Sequence, residues 1–464
     1  RWSGKYLEIP ISCSKIWYAW SLWTLYYNKL VSFFIIFYSI VEKFMRNRSK
    51  ERRDEPMKKI MILGAGVYQF PLVQKAAEMC EVILVAPQIS REFEKYAKKC
   101  YYTDLREKEE ILEIARKEKI NGIITDQTDI PVRTVAYVAS EMGLPGNPYD
   151  IACLFTDKGL MRKKMEEIGI NVLPNSQVVS EEQAVQFYEA QGGDGNEFII
   201  KPADNQGSRG VFKVYSANDI RKYFCESVKH SPTNTVVIEK YATGQEFVVE
   251  GISLNGKYKP LIIGDTHYFD KDTTFAARER IFPSREKEEL IKRVLELNEK
   301  IITGFGLVQG ISHSEYVMEG NDIYLIETAA RGGGVFISSD LISLQTGLCT
   351  EEFLIRIALG EQKELPDLKP MNQVCGYIAF FLPEGEVISI DGVEEVCQLP
   401  YVHRNILYSI KRGMKIGTAT DKTSRFSIIV SGKNWKEWGD NVKHVQELLR
   451  IQVQKDGEIK NPIW

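Results

Sequence analysis

The stretch QGISHSEYVMEGNDIYLIETAARGGG, residues 309–334, decides how the rest of the chain is read. Two apolar runs of strand composition flank a Gly-Asn-Asp turn, the pattern of a β-hairpin. A three-residue loop at residues 320–322 pairs Glu319 with Ile323 and sets Glu315 directly opposite Glu327 on one face, whereas a two-residue loop without a bulge puts them on opposite faces. Like charges facing each other across a ladder repel. The pair therefore either stands in solvent or holds a divalent cation, and spacing alone leaves both readings open.

Upstream, EFIIKPADNQGSRGVFKV (residues 197–214) ends an apolar strand at Lys201 and continues into a Gly-containing loop with Ser208, Arg209 and Gly210. Backbone amides of such a loop can wrap phosphate oxygens beside a lysine, or the segment is an ordinary hairpin turn with a snorkelling lysine. TVVIEKYATGQEFVVEGIS (residues 235–253) offers an extended segment at Glu239, Lys240 and Tyr241 that can present main-chain groups to a purine edge. Beyond its turn, Glu246 can accept two ribose hydroxyls, or be a solvated glutamate on an edge strand. GDTHYFDKDTTFAARERIFPS (residues 264–284) reads as a long polar and aromatic loop carrying His267, Arg278 and Arg280, and loops of that length tend to bind something. An amphipathic helix over residues 284–303 leads back into the hairpin.

Nearer the N-terminus, KKIMILGAG (residues 58–66), a helical stretch and EVILVAP (residues 81–87) make a βαβ start. Gln69 stands where a dinucleotide fingerprint needs its third glycine, so close packing at a strand–helix turn explains Gly64 and Gly66 better than a nicotinamide cofactor. NGIITDQTDI adds a strand ending in Asp126 and Asp129, and GLPGNP closes a small α/β unit over residues 57–150. TDKGLMRKKMEEIGINVLP (residues 156–174) is a basic amphipathic helix capped by Thr156 or Asp157 and stopped at Gly169.

With 464 residues, 44% hydrophobic content and a formal net charge of −3, the chain has apolar residues for several structural units and no global pull toward nucleic acid. The eight cysteines are scattered without a C-x-x-C pair, as expected of a reduced cytoplasmic chain lacking a structural zinc site. Residues 1–56 differ from the rest. They hold four of the seven tryptophans, and residues 16–41 are aromatic and apolar before a basic run at 43–53. Three readings stand: a membrane-associated anchor, an upstream extension with Met57 as the natural start, or an amphipathic helix packed on the body.

Taken in order, NGIITDQTD with LPGNP, TDKGLMRKKMEEIGI, FIIKPADNQGSRGV, VVIEKYATGQEF, HSEYV with IYLIETAARGGG, and TGLCTEEFLIRIALG resemble the ATP-grasp superfamily, in its carboxylate-amine ligase-like branch. The resemblance covers residues 57–460 and implies an α/β and α+β architecture. A Rossmann-like pre-ATP-grasp domain (57–150) comes first, then a two-lobed ATP-grasp domain (151–365) and a small C-terminal α+β subdomain (366–464) bordering the site, with 413–421 either part of that border or merely a turn. It implies ATP and Mg²⁺ as cofactors, with Mn²⁺ an admissible substitute.

By resemblance, Lys158 and Lys201 contact the triphosphate, Ser208, Arg209 and Gly210 fold over it, Glu239, Lys240 and Tyr241 form the adenine hinge, and Glu246 takes the ribose. Glu315 and Glu327 become the metal carboxylates, and Arg331, with Lys201, faces the transferred phosphoryl group. Many members carry an Asn two residues before that arginine; Ala329 stands here, leaving the metal one protein oxygen short. His267, Arg278, Arg280 and His313 are the candidate substrate contacts, His313 alone reading equally well as a hydrogen-bonded structural residue. The implied partners are a small carboxylic acid and an amine, amino-acid or peptide-like, with a homodimer left open. The implied reaction is ADP-forming amide ligation through an acyl phosphate; bicarbonate activation and a non-catalytic nucleotide-binding module are the alternatives.

Overall fold

A computed structural model describes residues 57–193, 195–269, 274–417 and 425–464. The readings offered for residues 1–56, the anchor among them, and the end of segment 413–421 lie outside these. Among the described residues no helix is long and apolar enough to cross a membrane, and the cysteines are free thiols.

In the unit Lys58–Trp464, short apolar runs become the strands of a parallel sheet: β1 (Lys59–Leu63), β2 (Glu81–Val85), β3 (Lys99–Tyr101) and β4 (Gly122–Ile124), ordered β3-β2-β1-β4. Gln69 fills the glycine turn that follows β1, accepting from the Gly66 amide at 2.8 Å and donating to the Asp126 carbonyl at 3.0 Å. A side chain thus occupies the space a pyrophosphate would need.

Four further strands, β5 (Asn175–Val178), β6 (Phe198–Pro202), β7 (Phe212–Val214) and β8 (Val236–Lys240), form an antiparallel sheet ordered β5-β8-β6-β7. The chain then lays down β9 (Gln245–Leu254), β10 (Lys257–Tyr268), β11 (Ala277–Phe282), β12 (Gly310–Glu319), β13 (Asp322–Ala329) and β14 (Val374–Phe381). After them come β15 (Gly385–Asp391), β16 (Val402–Asn405), β17 (Lys415–Ile416), β18 (Arg425–Gly432), β19 (Arg450–Lys455) and β20 (Glu458–Lys460). The largest sheet has eight strands, β13-β12-β9-β10-β11-β14-β18-β16, and the last has four, β17-β15-β19-β20. Strands β14, β16 and β18, from the segment read as a separate C-terminal subdomain, therefore continue the same sheet as the hairpin.

Burial explains the sheet's continuity. Every residue of β14 (VCGYIAFF) is buried, the signature of a central strand covered on both faces. Helix Glu288–Phe305 packs against the sheet through Val294, Ile301, Ile302 and Phe305, and ends at Gly306 with φ +80°. The segment read as one long loop, 264–284, is instead mostly the ends of β10 and β11, paired antiparallel from Asp265↔Ile281. Of its polar residues Asp265, Thr266, Arg280 and Ser284 are buried, whereas His267 and Arg278 are exposed.

The opening hairpin forms, by a different route. Glu319 pairs with Asp322, not Ile323, so the turn has two residues; a β-bulge between Glu315 and Tyr316 restores Glu315↔Glu327. The extra residue sits at Ile326 rather than in the loop, and the two carboxylates still face each other. At the hairpin's edge Gly244 adopts φ +157°, and a Cβ there would lie 1.8 Å from the Met318 carbonyl oxygen. Gly244→Ala is expected to destabilise the protein by about 1–3 kcal/mol, seen as a lowered midpoint in thermal denaturation followed by circular dichroism.

Candidate active site

Helix Lys158–Glu167 places Lys158 and Arg162 one turn apart on the same buried face. Asp157 caps it, its side chain accepting from the Leu160 amide at 3.0 Å. Arg162, 2% exposed, reaches Glu239 on β8, donating from Nε at 2.5 Å and from Nη2 at 3.1 Å. Its Nη2 also donates at 2.7 Å to the carbonyl of Ile326, the bulge residue. Lys201 on β6 donates to the same Glu239 carboxylate at 2.9 Å. Burial pushes Glu239 up, but the charges of Arg162 and Lys201 outweigh it and hold the carboxyl at about 2. Lys201 is lowered by burial and by the neighbouring cations Arg162, which shares Glu239 with it, and Lys158.

Between this sheet and the eight-stranded one lies a cleft of two chambers meeting at the hairpin carboxylates. The first encloses about 840 Å³ of space continuous with solvent and is lined by Lys158, Lys201, Tyr241, Glu246, Glu315 and Glu327, among others. Ser208, Arg209, Glu239 and Lys240 also line it, whereas Gly210 packs behind, where a Cβ would meet His230 and Pro202. The loop above bends through Gly207 and Ser208 at φ +76° and +60°. It is tied down on both sides. The Gln206 side chain accepts from the Asp129 amide at 3.0 Å and donates to Thr128 at 2.9 Å, and Ser208 donates to the Phe275 carbonyl at 3.2 Å. Lys158 donates to the Asn205 carbonyl at 2.7 Å and faces Glu327 at 3.1 Å. The amides of Lys240 and Tyr241 are committed to the carbonyls of Pro174 and Glu197, at 2.8 and 2.9 Å. Ala242, next along and passed over in the sequence, lines the chamber. Glu246 accepts from the Tyr268 hydroxyl at 2.6 Å.

The second chamber, about 900 Å³, is lined by Arg280, His313, Arg331, Tyr377 and Arg425 together with the same Glu315 and Glu327. Arg280 pairs with Glu315, and His313 Nε2 lies 3.1 Å from that carboxylate while its Nδ1 contacts buried Glu250. Burial pushes Glu315 up, but Arg280 and His313 win and hold it well below the usual carboxylate range. His313 is lowered by burial and raised further by Glu250, so its net shift is upward and the imidazolium is favoured. Arg331 is held by both oxygens of Asp129, at 2.7 and 2.9 Å. The neighbouring Gly332 amide donates to Asp126 at 2.8 Å, and Gly333 donates to Glu250 at 3.0 Å.

Two expected substrate residues are not brought here. His267 and Arg278 line neither chamber; both are half-exposed and turn to Glu279, at 3.0 and 3.2 Å. The register shift between His267 and Tyr268 breaks the alternation that a sequence reading relies on. Sequence reasoning also passed over Arg162 and Arg425. The signal for the first was its i+4 spacing from Lys158; for the second no local signal existed.

Glu315 and Glu327 suit a small hard cation: two opposed carboxylates, each facing the cleft, with room for water on the remaining octahedral positions. Ala329 lines the second chamber beside them and supplies no side-chain oxygen.

Residues 195–340 match the family model of the ATP-grasp domain. It is 25% identical over 345 residues to the carbamoyl phosphate synthase large chain of Clostridium acetobutylicum, covering 68% of this chain and 31% of that one. The chain thus spans about a third of that relative's length. Among solved structures it is similar to the L-amino acid ligase from Bacillus licheniformis, with a TM-score of 0.72 and 20% identity over 86% of this chain and all of that one. It is likewise similar to the biotin carboxylase domain of Hydrogenobacter thermophilus 2-oxoglutarate carboxylase, solved with MgADP and bicarbonate, at a TM-score of 0.68, 17% identity, and coverage of 88% and 92%. These likenesses establish the fold.

Arg162→Met leaves the buried Glu239 under-compensated and the Ile326 carbonyl without its donor. It is expected to cost about 3–5 kcal/mol, measured by urea denaturation. Burial raises Asp126 from 3.8 to about 6 and, nearby, Glu351 from 4.5 to about 7. Both folded values lie above the unfolded ones, so the folded state binds the extra protons and stability falls as pH rises from about 4 to 7. Asp126→Asn keeps an acceptor for Gly332 and is expected to flatten the part of that fall between about pH 4 and 6, read from denaturation midpoints across pH.

Proposed function

We propose that this chain is an ATP- and Mg²⁺-dependent ligase that activates a small carboxylic acid as an acyl phosphate and joins it to an amine. The observation that carries this reading is the meeting of two chambers at one pair of carboxylates. On one side lie two lysines, a loop of backbone amides and Glu246; on the other lie His313 and three arginines.

In this reading the adenine lies along the main chain beyond Tyr241, at Ala242, and the ribose hydroxyls meet Glu246. Lys158 and Lys201 take the triphosphate under the loop at Ser208 and Arg209. Glu315 and Glu327 would hold Mg²⁺, which supplies charge neutralisation and fixes the geometry of the phosphates. The acid's carboxylate oxygen attacks the γ-phosphorus, the bond to the bridging oxygen breaks and ADP leaves. The amine nitrogen then attacks the acyl carbon, phosphate leaves, and the nitrogen gives up its proton. Arg331, a planar and permanently charged fork, faces the transferred group. Arg280 and His313 orient the acid, and the tied-down loop keeps water from the acyl phosphate.

Phe275, Val335 and Tyr377 in the second chamber favour an organic acid over bicarbonate alone, since they give an apolar side chain something to contact. The test is a screen of amino acids and small acids, paired with amines, for ADP and phosphate release, with mass spectrometry of the product. ADP release that ignores every added acid and amine would remove the reading. Glu327→Gln is expected to lower the stimulated rate by at least ~100-fold while leaving the denaturation midpoint near wild type.

A further inference from the structure

The cations around the cleft are mostly matched to carboxylates. Lys201 and Arg162 share Glu239, Lys158 faces Glu327, Arg280 holds Glu315, and Arg331 holds Asp129. Arg425 is the buried exception; Arg209, also without a carboxylate partner among the described residues, is exposed and meets Asn205. Arg425 opens β18, lies 6% exposed, and lines the second chamber, yet among the described residues no carboxylate comes within ion-pairing distance of it. Among the described residues its side chain makes one hydrogen bond, across β14 from Nη1 to the carbonyl of Ala277 at 3.0 Å. That bond fixes the side chain's direction without neutralising its charge. A guanidinium taken out of water without a counter-charge is costly, and the remaining donors of its planar fork match a carboxylate in two-point geometry.

Position makes the charge informative. Glu315, Glu327 and Arg331 mark the end of the chamber where a phosphoryl group would arrive, and each is already engaged with a partner. Arg425 comes from a strand three places beyond β10 in the sheet and joins the lining with Tyr377 and Ala277. A ligand bridging the chamber therefore meets the transfer machinery at one end and an unmatched guanidinium at another.

We propose that Arg425 is the anchor for a second carboxylate, distinct from the one that is phosphorylated, so that this ligase joins substrates bearing two carboxylates between them. The inference rests on the ligase reading for the transfer end, while the anchoring itself is a binding property. The second carboxylate belongs either to a dicarboxylic acid substrate or to an amino acid acting as the amine, and the chemistry at Arg425 is the same in both.

The test is calorimetric titration of the full chain, held with MgADP, using two series of probes. One compares malonate, succinate and glutarate with acetate; the other compares glycine, alanine and glutamate with their α-amides. Wild type is expected to bind members of at least one series at least ten-fold more tightly than the matched control lacking the second or α-carboxylate, and the responding series assigns the carboxylate to the acid or to the amine. Arg425→Gln is expected to abolish that preference, and Arg425→Lys, which keeps charge but not the fork, to retain part of it. MgADP titration of each variant verifies that it is folded. Equal binding of carboxylates and controls by wild type, or an unchanged preference in Arg425→Gln, would overturn the proposal. Failure of the ligase reading is separate: it shows as acid-independent ADP release, whatever the titrations give.

Discussion

One buried carboxylate, Glu239, holds the two halves of the cleft together. Helix Lys158–Glu167 brings Arg162 to it from one side and β6 brings Lys201 from another, while the same arginine reaches over to the hairpin at Ile326. Three elements distant in sequence are thereby set by one charge cluster, and the desolvation of each member is offset only while the others stay in place. The bulge gives Arg162 its second partner: a residue left out of the ladder has an unpaired carbonyl, which needs a donor once buried. The irregularity that aligns the two glutamates is thus capped by the residue that fixes the lysine opposite them.

Much of this could be read from the chain, for identifiable reasons. The two apolar runs and the turn between them mark the hairpin that carries Glu315 and Glu327, while their opposition depends on the bulge and not on the period of the pleat alone. Gln69 replaces a glycine at a fixed offset, and its side chain fills the space that the fingerprint would have left open. Lys201 ends a buried strand, where a charge is rare unless it has work or a partner.

What escaped depends on partners rather than patterns. The bulge at Ile326 and the three-residue loop give the same pairing of glutamates, so the sequence could not separate them. Arg162 sits in a basic helix whose surface lysines mask that it turns inward, as Lys158 does. His267 and Arg278 look like neighbours of Arg280, but a register shift turns them toward Glu279. Strands β14, β16 and β18 carry no local mark of the sheet they join; a sheet's membership is settled by long-range pairing. Arg425 was invisible for the same reason.

The pairing of cleft cations with carboxylates also bears on how metal and nucleotide would arrive. Glu327 is engaged by Lys158 and Glu315 by Arg280. A divalent ion taking those two glutamates releases a lysine and an arginine toward the phosphates, and phosphates taking the lysine release a glutamate toward the ion. Each ligand removes the competitor of the other. By linkage the favour is mutual and equal, so in the proposed reading metal and triphosphate would titrate this cleft as a cooperative pair.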